Sequence, residues 1–285
     1  MPIRETDYRI TKNRKSKSSA NKVKQHSVYK CILEASGSYN TYGSSNNNVV
    51  SLFDGSGDCR DQSQIRSAEE FLRCYKTFKT NILQQHVSPD DDTSQPESRI
   101  SVCVIDTGID KSHPGIKGRI RRGSIRECQS WIGGKADVND EYGHGTHVVQ
   151  LLLDASDNVD IYVAKIAKGA YIDRKDMVNI AAAINHAIAE WDVDIIIMSF
   201  GFSEMDPEVE EAINEAGRRG KLRFAAAANH GNNGVKTYPA NYRNVICINA
   251  SDGKGKDGRI SPAATDGADK FYDFGHRRSP LLERG

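Results

Sequence analysis

From residue 100 onward the chain carries five short, nearly continuous apolar runs: ISVCVI (100–105), VDIYVAKI (159–166), VDIIIMSF (193–200), LRFAAAA (222–228) and NVICINA (244–250). A strand with one wet face alternates polar and apolar residues. A continuous run has both faces covered, which is the condition of a strand inside a parallel sheet. Helical patterns separate most of the runs. RKDMVNIAAAINHAIAEW (174–191) places Val178, Ala181, Ala182, Ile184, Ala187 and Ile188 on a broad apolar face. DPEVEEAINEAGRRG (206–220) offers Asp206 as N-cap, Pro207 at the first helical position, acids in the first turn, arginines in the last and Gly220 as a stop. Strand and helix in alternation predict an α/β, doubly wound, mostly parallel sheet. In that architecture functional groups collect at the carboxyl ends of the strands.

The first 98 residues follow no such pattern. ASGSYNTYGSSNNN (35–48) is too rich in Ser, Gly and Asn to bury a core and reads as a loop or linker. Ser67 and Glu70 make a capping-box pattern ahead of Phe71, Tyr75, Phe78 and Ile82, so one helix is expected near 67–86. The acidic, Pro-containing stretch 88–98 marks a boundary. The expected division is therefore a weakly structured region over 1–98, a catalytic-type domain over 99–268 and an unmatched tail over 269–285.

A net charge of +1 argues against an overall electrostatic commitment to nucleic acid or to a membrane surface, and no run reaches the length of a spanning helix. The N-terminus is basic and polar with no apolar stretch behind it, so no secretory signal is expected. The six cysteines form no CxxC pair and read as reduced thiols. An intracellular, cytoplasmic protein is the expectation.

Three strand-end segments carry polar groups suited to chemistry. VIDTGIDKSHPGI puts Asp106 at the end of the first run, where it can either orient an imidazole or cap the next turn. GHGTHVVQLLL puts His144 between Gly143 and Gly145, which permit close backbone approach for a large substrate, with His147 one turn into a helix. The histidine pair lacks the intervening Glu and the spacing of H-E-x-x-H zinc helices, which leaves a catalytic base or an ordinary polar residue as the main readings. FAAAANHGNNG puts Asn229 after a buried strand, where an amide can donate to a developing oxyanion or simply sit in a turn.

Taken in order, VIDTGID, GHGTHV and AAAANHG resemble the subtilisin-like serine proteases (subtilases, peptidase S8), with the wording of intracellular fungal subtilase domains. SHP (112–114), YVAKI (162–166) and MSFG (198–201) agree with that resemblance, which covers about residues 99 to 260. It implies that Asp106 orients and supports His144, that His144 is general base and then general acid, and that Asn229 stabilises the tetrahedral oxyanion. It further implies that Ser199, Phe200 and Gly201 line the cleft and pair with a polypeptide substrate. Calcium is a ligand of some family members, but DGSGD (54–58) lies outside the resembling region and lacks EF-hand spacing, so no cofactor is expected.

The same resemblance demands a serine in a G-T-S-x-A string at the start of a helix. The 285 residues contain none, and Ser251, Ser261 and Ser279 have neither the small neighbours nor an apolar helix behind them. The expectation is a subtilase domain truncated before its serine, with its last helix and strands missing, and inactive as it stands. The alternative is a non-catalytic relative that binds peptides.

Overall fold

The computed structural model describes residues 49–52, 62–83, 99–227, 236–251 and 271–272. Along the chain run β1 (Val49–Leu52), α1 (Gln62–Phe78), β2 (Ile100–Asp106), α2 (Pro114–Arg121), β3 (Ile125–Ser130), α3 (His144–Ala155), β4 (Val159–Lys165) and β5 (Tyr171–Asp173). They are followed by α4 (Met177–Ala189), β6 (Ile195–Met198), β7 (Phe200–Gly201), α5 (Pro207–Arg218), β8 (Leu222–Ala226), β9 (Ile246–Asn249) and β10 (Phe271–Tyr272).

The apolar runs form a seven-stranded sheet in the order β10-β9-β8-β6-β2-β4-β3, with each neighbouring pair parallel. β2 lies inside it, paired with β4 from Ile100↔Val159 to Asp106↔Lys165 and with β6 on the other edge. Its side chains divide between two cores, as continuous apolar runs require. Cys103 and Ile105 pack with Ile180, Ile184, Val209 and Ile213 of α4 and α5, while Val102 and Val104 pack with Ile116, Val149 and Leu153 of α2 and α3. Helices on both faces make the sheet doubly wound, as the sequence predicts.

The path places the crevice. From β2 the chain goes through β3 to β4 on one side, then crosses by α4 to β6 on the other. The winding direction therefore reverses at β2, and a doubly wound sheet opens a crevice at the carboxyl ends beside such a reversal. Asp106 is the last residue of β2.

The helices match expectation in part. In α5 the Asp206 carboxylate accepts from the N–H groups of Glu208 and Val209, with Pro207 at the first position. In α4 the buried set is Met177, Ile180, Ala181, Ala183, Ile184, Ala187 and Ile188. Val178 is 53 % exposed and Ala182 is also exposed, so the expected apolar stripe is rotated. Alanine is small enough to sit on either side of such a stripe, and this is why the sequence alone misplaces its edge.

α1 begins at Gln62, five residues ahead of Ser67, and a π-helical turn extends it through Leu83. The Ser67/Glu70 pattern thus falls inside the helix and does not start it, and Phe78 is exposed. α1 docks by polar bonds to the far end of α3: Tyr75 donates its hydroxyl to Ala155 O at 2.7 Å, and Lys79 meets Asp154 O at 3.3 Å and Asp157 Oδ2 at 2.9 Å. The last carbonyls of a helix have no partner within it and carry partial negative charge, so a hydroxyl and an ammonium suit them.

A second, antiparallel sheet has the order β5-β1-β7. β1 pairs with β5 at Val49↔Asp173, Val50↔Ile172 and Ser51↔Tyr171, and with β7 at Ser51↔Gly201 and Leu52↔Phe200. β1 comes from the region expected to be weakly structured.

Candidate active site

Asp106 ends β2 fully buried, and its Oδ1 lies 2.7 Å from His144 Nδ1. A carboxylate only accepts, so the proton in that bond sits on the imidazole Nδ1, and in the neutral ring the lone pair is then on Nε2. The same Oδ1 accepts from Thr107 N at 2.8 Å and from the Thr107 hydroxyl at 3.3 Å. Oδ2 is buried and has no hydrogen-bond partner among the described residues. The imidazole is held against the sheet with about a tenth of its side chain exposed, enough to present one edge.

Close approach of α3 to β2 makes this geometry. A Cβ on Gly145 would stand 2.4 Å from Gly108 O and 3.2 Å from the Asp106 Cβ, so only glycine lets the first turn of α3 lie there. The Gly145 N–H donates to Thr107 Oγ1 at 2.9 Å, which closes the contact. From the sequence, both flanking glycines are expected to serve the approach of a substrate. At Gly145 the space is taken up by the protein's own backbone instead.

Gly143 precedes α3 with no side chain to cap it, and Asp140 supplies the cap from three residues further back. One Asp140 oxygen accepts from Tyr142 N at 3.1 Å and Gly143 N at 2.7 Å, and the other from Thr146 N at 2.8 Å and the Thr146 hydroxyl at 2.7 Å. Four donors on one nearly buried carboxylate at a helix N-terminus fix the turn that carries His144. Thr146 Oγ1 in turn accepts from Asp110 N at 2.8 Å, which ties the turn to the loop after β2.

Lys165 is the other residue that sequence reasoning missed. It ends β4 in register with Asp106, and its side chain is fully buried. The ammonium donates to Asn139 O, next to Asp140, and lies 4.0 Å from Asp137 Oδ1. A buried ammonium is costly unless bonded. Here it fastens the 137–140 loop to the strand beside the site. The signal in the sequence is a lysine at the end of an otherwise apolar run.

His147, one turn along α3, is largely buried. Burial, and next the neighbouring His144, lower its pKa to about 4, so it is neutral near pH 7. Its Nε2 has no hydrogen-bond partner among the described residues, and it acts as packing rather than as a second base.

The other expected site residues divide. Ser199 follows β6, and Phe200 and Gly201 form β7, whose main chain pairs with β1. β6 and β4 lie on either side of β2, and β7 and β5 follow them in the chain. Asn229 and the DGSGD segment lie outside the described residues. No helix among the described residues is long and apolar enough to cross a membrane.

Comparison with known proteins points to one family. Residues 97–274 match the model of the Subtilase family, Peptidase_S8. Among curated proteins, the major intracellular serine protease of Bacillus subtilis is 35 % identical over 163 residues, which cover 52 % of this chain and 50 % of the relative. The intracellular serine protease of Paenibacillus polymyxa is 33 % identical over 165 residues, covering 53 % and 49 %. Subtilisin BL of Lederbergia lenta is 30 % identical over 166 residues, covering 54 % and 56 %. The chain spans about half the length of the curated relatives it matches.

Proposed function

This chain belongs to the subtilase family, and from that premise we propose that it carries the acid–base pair and the peptide slot of an intracellular, cytoplasmic serine endopeptidase. The observation that carries the reading is the 2.7 Å bond from His144 Nδ1 to a buried carboxylate at the end of β2. In acyl transfer a serine Oγ attacks the scissile carbonyl carbon while its proton passes to Nε2 of His144. Asp106 keeps the imidazole in the Nδ1–H tautomer and stabilises the imidazolium that forms. The imidazolium then gives that proton to the leaving amide nitrogen. Water repeats the sequence on the acyl-enzyme and releases the acid. Asn229 donates to the oxyanion, a role supported by its place in the sequence directly after the apolar run FAAAA.

The substrate is an extended polypeptide, taken by strand addition to the main chain of Phe200 and Gly201. Specificity then comes from side-chain pockets and affinity from the main-chain ladder. The sequence contains no G-T-S-x-A, so these 285 residues bind peptide without forming an acyl-enzyme.

Labelling with a fluorophosphonate tests this. The chain as it stands is expected to remain unlabelled. Joining the serine-bearing segment of a subtilase relative after residue 268 is expected to give labelling and peptide hydrolysis, both abolished by His144→Ala, with Asn229→Ala slowing turnover about 10²–10³-fold. Labelling of the unextended chain, or hydrolysis that survives His144→Ala, would refute the reading.

A further inference from the structure

We propose that Lys165 is a positioning residue for His144, holding the imidazole against Asp106 through the loop that caps α3. This deepens the reading of His144 as the base and rests on it. Lys165 and Asp106 end neighbouring parallel strands in register. The pairs before them, Val102 with Ile161 and Val104 with Val163, pack in the core under α2 and α3. Side chains alternate along a strand, so Asp106 and Lys165 rise on that same face, toward the helix that carries His144. Among the described residues the buried charged side chains are Asp106, Asp140 and Lys165, two acids and one ammonium. A buried charge persists when it is paired or bonded. Lys165 stands between the two acids, in register with one and bonded to the carbonyl next to the other.

The path from Lys165 to His144 is short and has two branches. In the first, the ammonium donates to Asn139 O, and the next residue, Asp140, accepts from the N–H groups of Tyr142, Gly143 and Thr146. His144 lies inside that turn. In the second, the Lys165 stem and the carbonyls of the same loop crowd Gly108. A Cβ on Gly108 would stand 3.1 Å from Lys165 Cδ, 2.5 Å from Val138 O and 3.3 Å from Asn139 O. The Ile109 N–H donates to Val138 O at 2.9 Å, and Gly108 O is the atom that Gly145 of α3 approaches. The loop therefore rests on the turn after Asp106 at one end and caps the turn before His144 at the other. Lys165 fastens it to β4 between the two. Without the ammonium the Asn139 carbonyl loses its donor, and Asp140 is no longer held to the strand beside Asp106. A donor–acceptor bond between His144 and Asp106 depends on distance and angle, so a cap that moves loosens it.

The test is nitrogen-15 NMR of the histidine rings at pH 8, with amide hydrogen exchange, on the full chain and on Lys165→Met and Lys165→Gln. Methionine keeps the length of the side chain without the donor or the charge. Glutamine keeps a neutral donor that is one atom too short to reach Asn139 O, and it gives the readout if methionine costs the fold. Each variant is expected to leave His144 averaged between tautomers and to speed exchange of the Gly143 and Thr146 amides roughly tenfold or more. His147, one turn along the same helix, is expected to keep the ring signals of the unmodified chain, which separates positioning of the base from packing of α3. A His144 that stays locked in both variants would overturn the positioning role and leave the base intact. Equal disturbance of His144 and His147 would reduce Lys165 to support of the whole helix and overturn the role as well. A His144 already averaged in the unmodified chain would overturn the reading of the base, and the positioning role with it.

Discussion

Around His144 the polar groups are fixed by side chains of the 106–165 segment: Asp106 at the end of β2 and Thr107 after it, Asp140 before α3, and Lys165 at the end of β4. The slot between β5 and β7 is filled by main-chain pairing to a strand from far upstream. The first region has a geometry preformed by those side-chain bonds. The second is a main-chain ladder, of a kind that any extended segment can make. Chemistry needs the rigid arrangement, and peptide recognition needs the exchangeable one.

Three perturbations sharpen that contrast. The largest effect is expected for Gly145→Ala, whose methyl would meet Gly108 O at 2.4 Å. α3 must then shift off β2, at about 3 kcal/mol in denaturant unfolding. A loss below about 1 kcal/mol would mean the corner is softer than its geometry implies.

Next comes acid. His147 is unprotonated in the fold until about pH 4 but takes up a proton near 6.5 when unfolded. The unfolded state binds the extra proton between those values, so stability falls as pH drops through that window, by about 3 kcal/mol at most. His147→Gln should flatten the stability profile between pH 6.5 and 4. An unchanged slope would show that the helix carrying His144 is open to water.

The smallest effect belongs to the slot. Ser51→Pro breaks the β1 ladder, yet its freed groups return to water, and thermal unfolding should register about 1 kcal/mol or less. A loss comparable to that of Gly145→Ala would erase the distinction between the two regions.

The two regions also differ in how legible they were. Asp106 and His144 were readable because each sits in a local string whose strand or helix the apolar pattern predicts, and burial then brings them together. The sheet was readable for the same reason. Asp140 was harder, since its capping role depends on a turn and not on the usual position next to the helix. Lys165 was hidden because a lysine at the end of a strand is ordinarily exposed, and only the Asn139 carbonyl makes its burial tolerable. β1 was not legible at all. Four residues after an Asn-rich stretch have no period to detect, and the pairing that orders them lies more than a hundred positions away in β5 and β7.

The central claim is that the chain holds His144 as a base through Nδ1 before any substrate arrives. The direct measurement is nitrogen-15 NMR of the histidine rings in the full chain at pH 8, with Asp106→Asn as the control. The structure predicts that His144 is locked with its proton on Nδ1 and a pyridine-type Nε2, and that this locking is lost in Asp106→Asn. A His144 ring averaged between tautomers, or protonated on Nε2, in the unmodified chain would contradict it.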